Sequence, residues 1–67
     1  MKINDNIFEL LTALGISQSK LAKEIGVSQK AIDYWERNIN EPKASYIIKL
    51  AQFFNVSTDY LLGVSDI

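Results

Sequence analysis

The sequence predicts an all-α domain of five short helices. Apolar residues recur at three- and four-residue spacing in four separate runs, the signature of helices with one buried face. Each run closes on a lone glycine or asparagine, and Ser or Asn stands ready as an N-cap before most of them. No run reads as a strand.

Taken in order, Met1 to Ile3 reads as a frayed start, and Asn4, Asp5 and Asn6 as candidate caps, with an acidic residue suited to a helix N-terminus. Ile7, Leu10, Leu11 and Leu14 then share a face, Gly15 ends the run, Ile16 bridges, and Ser17 caps the second helix. That helix spans Gln18 to Ile25, with Leu21, Ala22 and Ile25 inward. Gly26 comes where the chain needs positive φ without steric cost. Val27 plugs the turn, and Ser28 caps a third helix that buries Ala31, Ile32 and Trp35. Ala22 is small where these two helices cross. Residues 36–42 form a loop, because Pro42 biases Glu41 away from helical conformation. A fourth helix starting at 42–44 turns Ile47, Leu50, Ala51 and Phe54 inward and meets a cap at Asn55. Ser57 opens a fifth helix through Leu62, closed by Gly63, with Val56 and Leu61 entering the core. The tail from Val64 carries no signal. The expected core is Ile7, Leu11, Leu14, Leu21, Ala22, Ile25, Val27, Ile32, Trp35, Ile47, Leu50, Ala51, Phe54 and Leu61.

At 67 residues the chain is a single domain near the lower limit of unaided folding, with residues 4–63 as its core. It contains neither Cys nor His, so disulfides, thiolate metal sites and Cys–His nucleophile pairs are excluded and no metal or cofactor is expected. Its glycines stand singly and form no phosphate loop. An enzyme is therefore not expected, and no small-molecule site is evident. No apolar run reaches the ~20 residues of a membrane span and no signal peptide opens the chain, so a cytoplasmic protein without membrane contact is expected.

The order small residue, glycine, apolar residue, apolar residue at Ala22, Gly26, Ile32 and Trp35 is the helix-turn-helix pattern. SQSKLAKEIGVSQKAIDYWE, the loop ending in Pro42, and IIKLAQFFNVSTDYLLG together resemble the Cro/CI-type family of lambdoid phage repressors and their bacterial relatives, from Ile16 to Gly63. The resemblance implies a five-helix lambda-repressor-like fold with a central helix-turn-helix. It implies a sequence-specific DNA-binding transcriptional regulator, a repressor, acting as a homodimer on a two-fold operator in double-stranded DNA. Phage or mobile-element repressor, antitoxin and restriction controller fit equally. The alternative is a helix-turn-helix scaffold kept for protein contact, with weak or no DNA binding.

With Ala31, Ile32 and Trp35 inward, the helical step of about 100° turns Lys30, Asp33 and Arg37 outward, with Gln29 and Tyr34 on the flanks. The family lays this helix, here Ser28 to Arg37, in the major groove with its first residues on base edges. The resemblance thus makes Gln29, Lys30, Asp33 and Tyr34 the base-reading candidates. Gln pairs with adenine in a bidentate manner, and Lys donates to guanine O6 and N7. Tyr34 packs on a thymine methyl or reaches a phosphate. Asp33 either accepts from a cytosine amine or only orients Lys30 three residues earlier. Phosphate contacts are expected from Gln18, Lys20, Arg37, Asn38, Asn40 and Lys43. Gln18 heads a helix, where free amides favour an anion, and in the family it also braces the first residue of the reading helix, here Gln29.

Three features depart from the family pattern. The Arg that pairs in several phage repressors with the equivalent of Glu36 is replaced by Leu11. The usually basic loop carries Glu41, and the loop glycine is Asn38, which tolerates the left-handed conformation next best. Seven Lys and Arg against eight Asp and Glu give a net charge of −1, where DNA-binding domains are usually basic. Modest affinity per domain and reliance on dimerisation are expected.

Overall fold

The computed structural model describes residues 2–64. The expected frayed residue Met1 and the tail after Val64 lie outside them. Five helices follow one another: α1 (Lys2–Leu14), α2 (Gln18–Ile25), α3 (Gln29–Glu36), α4 (Ala44–Phe54) and α5 (Thr58–Leu62). α2 packs on α3, α1 lies against α3 and α5, and α4 closes the core against α2 and α5.

One device ends every helix. The residue after each helix, or one place further on, takes positive φ: Gly15, Gly26, Asn38, Asn55 and Gly63. The next residue is apolar, and its amide reaches back five residues. Ile16 donates to Leu11 O at 2.9 Å, Val27 to Ala22 O at 3.0 Å, Ile39 to Tyr34 O at 2.9 Å, Val56 to Ala51 O at 3.0 Å and Val64 to Asp59 O at 3.0 Å. These are Schellman closures, which satisfy carbonyls that a helix end leaves without partners. Asn38, at φ 62°, takes the place of the family's glycine. Serine starts three of the helices: the Ser17, Ser28 and Ser57 hydroxyls accept from the amides of Lys20, Ala31 and Tyr60. The α2–α3 and α4–α5 junctions therefore share one plan: positive φ, apolar plug, serine cap.

The core contains Ile7, Leu11, Leu21, Ala22, Ile25, Ile32, Trp35, Leu50, Ala51, Phe54 and Leu61, as expected, with Val27, Ile47 and Val56 partly buried against it. Three expectations at α1 are corrected. The helix begins at Lys2, and Ile3 is wholly buried one turn before Ile7 rather than frayed. Asn4 and Asn6 are buried inside the helix and cap other helices instead of their own. Leu14, placed in the core from its phase, is 55% exposed. It lies on the buried stripe but at the last residue of α1, where the helix runs past its packing partners.

Candidate nucleic-acid interface

α3 is locked from behind. Ile32 is fully buried and Trp35 is 4% exposed. The Trp35 ring packs against Tyr46 of α4, with centroids 6.0 Å apart. With that face fixed, the opposite one cannot rotate, and it presents Gln29 and Lys30 to solvent at the N-terminus of the helix, beside the Ser28 cap. Asp33 and Tyr34 come one turn later, half-buried. Eight residues at 1.5 Å rise make about 12 Å of helix, the width of a B-DNA major groove.

The loop from Arg37 to Lys43 folds back beside this helix. Lys30, Tyr34, Asn40, Glu41, Lys43 and Tyr46 line one open groove. Base-reading candidates and phosphate candidates are thereby brought together, with Glu41 among them. Lys30 places its ammonium over the Tyr34 ring, 5.5 Å from the centroid. This cation–π contact gives the lysine a defined direction. Tyr46 is a groove residue that the sequence reading missed, because it stands beside the inward stripe of α4 rather than on it.

Two expected pairings are corrected. Asp33 does not orient Lys30; its carboxylate meets Arg37 Nε at 3.1 Å, an i,i+4 ion pair. Aspartate preceding arginine by one turn is the favourable order on a helix. Gln18 does not brace Gln29. Its amide nitrogen donates to Glu36 Oε2 at 2.6 Å, joining the start of α2 to the end of α3. Glu36, deprived of an arginine by Leu11, thus takes a neutral donor from α2.

Of the remaining phosphate candidates, Lys20 pairs with Glu24 at 3.6 Å on the exposed face of α2, apart from the groove. Lys43 stands at the N-cap of α4, where its side chain makes no capping hydrogen bond. Asn38 and Asn40 are exposed on the loop. The face therefore carries Lys20, Lys30, Arg37 and Lys43 against Glu24, Asp33, Glu36 and Glu41, and it is close to neutral.

The helix-turn-helix family pattern matches residues 7–61. The chain belongs to that family. Among curated relatives, the helix-turn-helix transcriptional regulator ImmR of Bacillus subtilis is 28% identical over all 67 residues, which cover 53% of its own length. Repressor protein C2 of Salmonella phage P22 is 43% identical over 49 residues, 73% of this chain and 23% of that protein. The chain thus spans about half of the first relative and less than a quarter of the second. Among solved structures, the P22 c2 repressor in complex with a synthetic operator is 34% identical, with a TM-score of 0.87 over 97% of this chain and 98% of that one. The biofilm regulator SinR in complex with DNA is 30% identical, with a TM-score of 0.81 over 90% of this chain and 97% of that one. Its N-terminal DNA-binding domain, from Bacillus subtilis, superposes equally well. These likenesses match the Cro/CI-type, lambdoid repressor-like resemblance read from the sequence and its five-helix fold.

Proposed function

We propose that this domain is a sequence-specific DNA-binding transcriptional regulator, a repressor, that lays α3 in the major groove of double-stranded DNA. The observation that carries the reading is the anchoring of α3. Its back is fixed by Ile32 and Trp35, so Gln29 and Lys30 project from a rigid helix start at solvent. A preorganised reader loses little conformational freedom on binding. Gln29 and Lys30 read base edges, and Tyr34 supports the lysine. Gln18, Lys20, Arg37, Asn38, Asn40 and Lys43 meet phosphates. Asp33 moves from reader to partner of Arg37. Binding is dimeric, on a two-fold site.

Both the P22 c2 repressor, solved on operator DNA, and SinR, solved on DNA, support this reading over a scaffold kept for protein contact. Selection from a pool of random duplexes tests it. The expected result is enrichment of one short sequence, arranged as an inverted repeat with half-site centres about 34 Å apart. A pool that remains random after repeated rounds, with no retained duplex, would sink the DNA reading and leave the scaffold.

A further inference from the structure

The loop that carries the phosphate candidates is tied to α1 by one buried side chain. Asn4 is 1% exposed. Its carboxamide nitrogen donates to the carbonyl of Trp35, in the last turn of α3, and to the carbonyl of Asn40 at 3.1 Å. Both neighbours are acceptors, so the nitrogen must face them; the oxygen is buried without a partner. One rigid amide therefore holds the end of the reading helix and the middle of the adjoining loop at a fixed separation. Between those two carbonyls lie Glu36, Arg37, Asn38 and Ile39, and two residues beyond Glu41 stands Lys43.

Asn6 supplies a built-in comparison. It lies on the same helix and carries the same group. Its nitrogen donates to the carbonyls of Tyr60 and Leu61, at 3.0 Å each. The end of α5 bears none of the residues assigned to DNA. The two asparagines therefore do the same chemistry at helix ends of different consequence.

We infer that Asn4 is a positioning residue for DNA binding: without touching DNA, it sets the loop of Arg37 to Lys43 against α3 so that reader and phosphate contacts engage one duplex together. This rests on the proposed DNA interface. A side chain that only stabilised the fold would affect binding as Asn6 does.

Asn4→Leu and Asn6→Leu in the full chain remove the donors while keeping a branched side chain of similar shape. Both variants are expected to melt lower. Below both midpoints, Asn4→Leu should bind selected and random duplexes about tenfold more weakly, with a salt slope smaller by about one, as expected for a displaced phosphate contact. Asn6→Leu should bind as the wild type does. Equal weakening in both variants, or an Asn4→Leu protein indistinguishable from wild type, overturns the inference while the DNA reading stands. Wild-type protein that binds neither duplex overturns both. Should Asn4→Leu fail to fold, labelled wild-type protein decides. The side-chain amide signals of Asn4 should shift on adding the selected duplex, together with the backbone amides of Asn40 and Lys43, while those of Asn6 stay. An unmoved Asn4 pair alongside shifted loop amides overturns the inference.

Discussion

Asp33 faces the same solvent as Gln29 and Lys30, yet its carboxylate is engaged with Arg37 at 3.1 Å. An exposed pair of this kind contributes ~0.3–0.5 kcal/mol, so its effect on stability is small. Its effect on DNA should be larger, because a negative charge on the proposed reading helix repels phosphate and occupies the arginine proposed to meet it. Asp33→Asn should therefore tighten binding to random duplex severalfold and steepen the salt slope by about one, with less gain on the selected site. Weaker binding to the selected site alone would instead make Asp33 a base reader. That Asp33 points outward is legible in the sequence from its helical phase. Which cation it takes is not, because Lys30 at i−3 and Arg37 at i+4 are both within reach of a helical carboxylate. A third residue competes for Lys30: the Tyr34 ring, whose centroid lies 5.5 Å from its ammonium. The capping expectation for Asn4 and Asn6 fails for a related reason. Short polar side chains near a helix start are caps in most settings, and nothing local tells that α3 and α5 present their ends to this face.

Helices are legible because each end is written in short-range chemistry. Positive φ, an apolar plug and a serine cap recur at Gly26–Ser28 and Asn55–Ser57, and none of these needs a distant partner. At Gly26, φ is +77° and a Cβ would meet nothing within 4 Å; Gly15 is equally open at φ +67°. A substitution there meets strain without a clash. Gly26→Ala and Gly15→Ala should each lower stability by ~1–2 kcal/mol, the left-handed penalty of a residue with a Cβ. Chemical denaturation of both variants checks this. A much larger loss at Gly26 alone would mean that the turn between α2 and α3 tolerates no adjustment at all. The residues misplaced at α1 have a physical cause in length. Leu14 has the right phase, but phase cannot report where the partners stop. Ile3 escapes the pattern because three polar residues after it read as a start, although they lie within the first two turns.

At the scale of the whole molecule, charge sets the mode of binding. The net charge is −1, and the four cations of the proposed binding face stand beside four carboxylates. Each phosphate neutralised contributes ~0.9 to the salt slope, so with Lys20, Arg37 and Lys43 on phosphates one protomer should show a slope no steeper than about −2.7 and a dimer no steeper than about −5.4. On the proposed reading, affinity then rests on base contacts and on pairing two domains on one site. Binding to the selected duplex should fall off cooperatively on dilution, and a single half-site should bind far more weakly. Equal affinity for half and full sites in a titration would show that the domain acts alone. On the proposed reading, the helix starting at Gln29 contacts base edges. Titration of Gln29→Ala against wild type, on selected and random duplexes at several salt concentrations, tests it most directly. The expected result is a loss of ~1–3 kcal/mol on the selected duplex, little change on random DNA and an unaltered salt slope. Equal weakening on both duplexes would contradict it, and α3 would not be the reader.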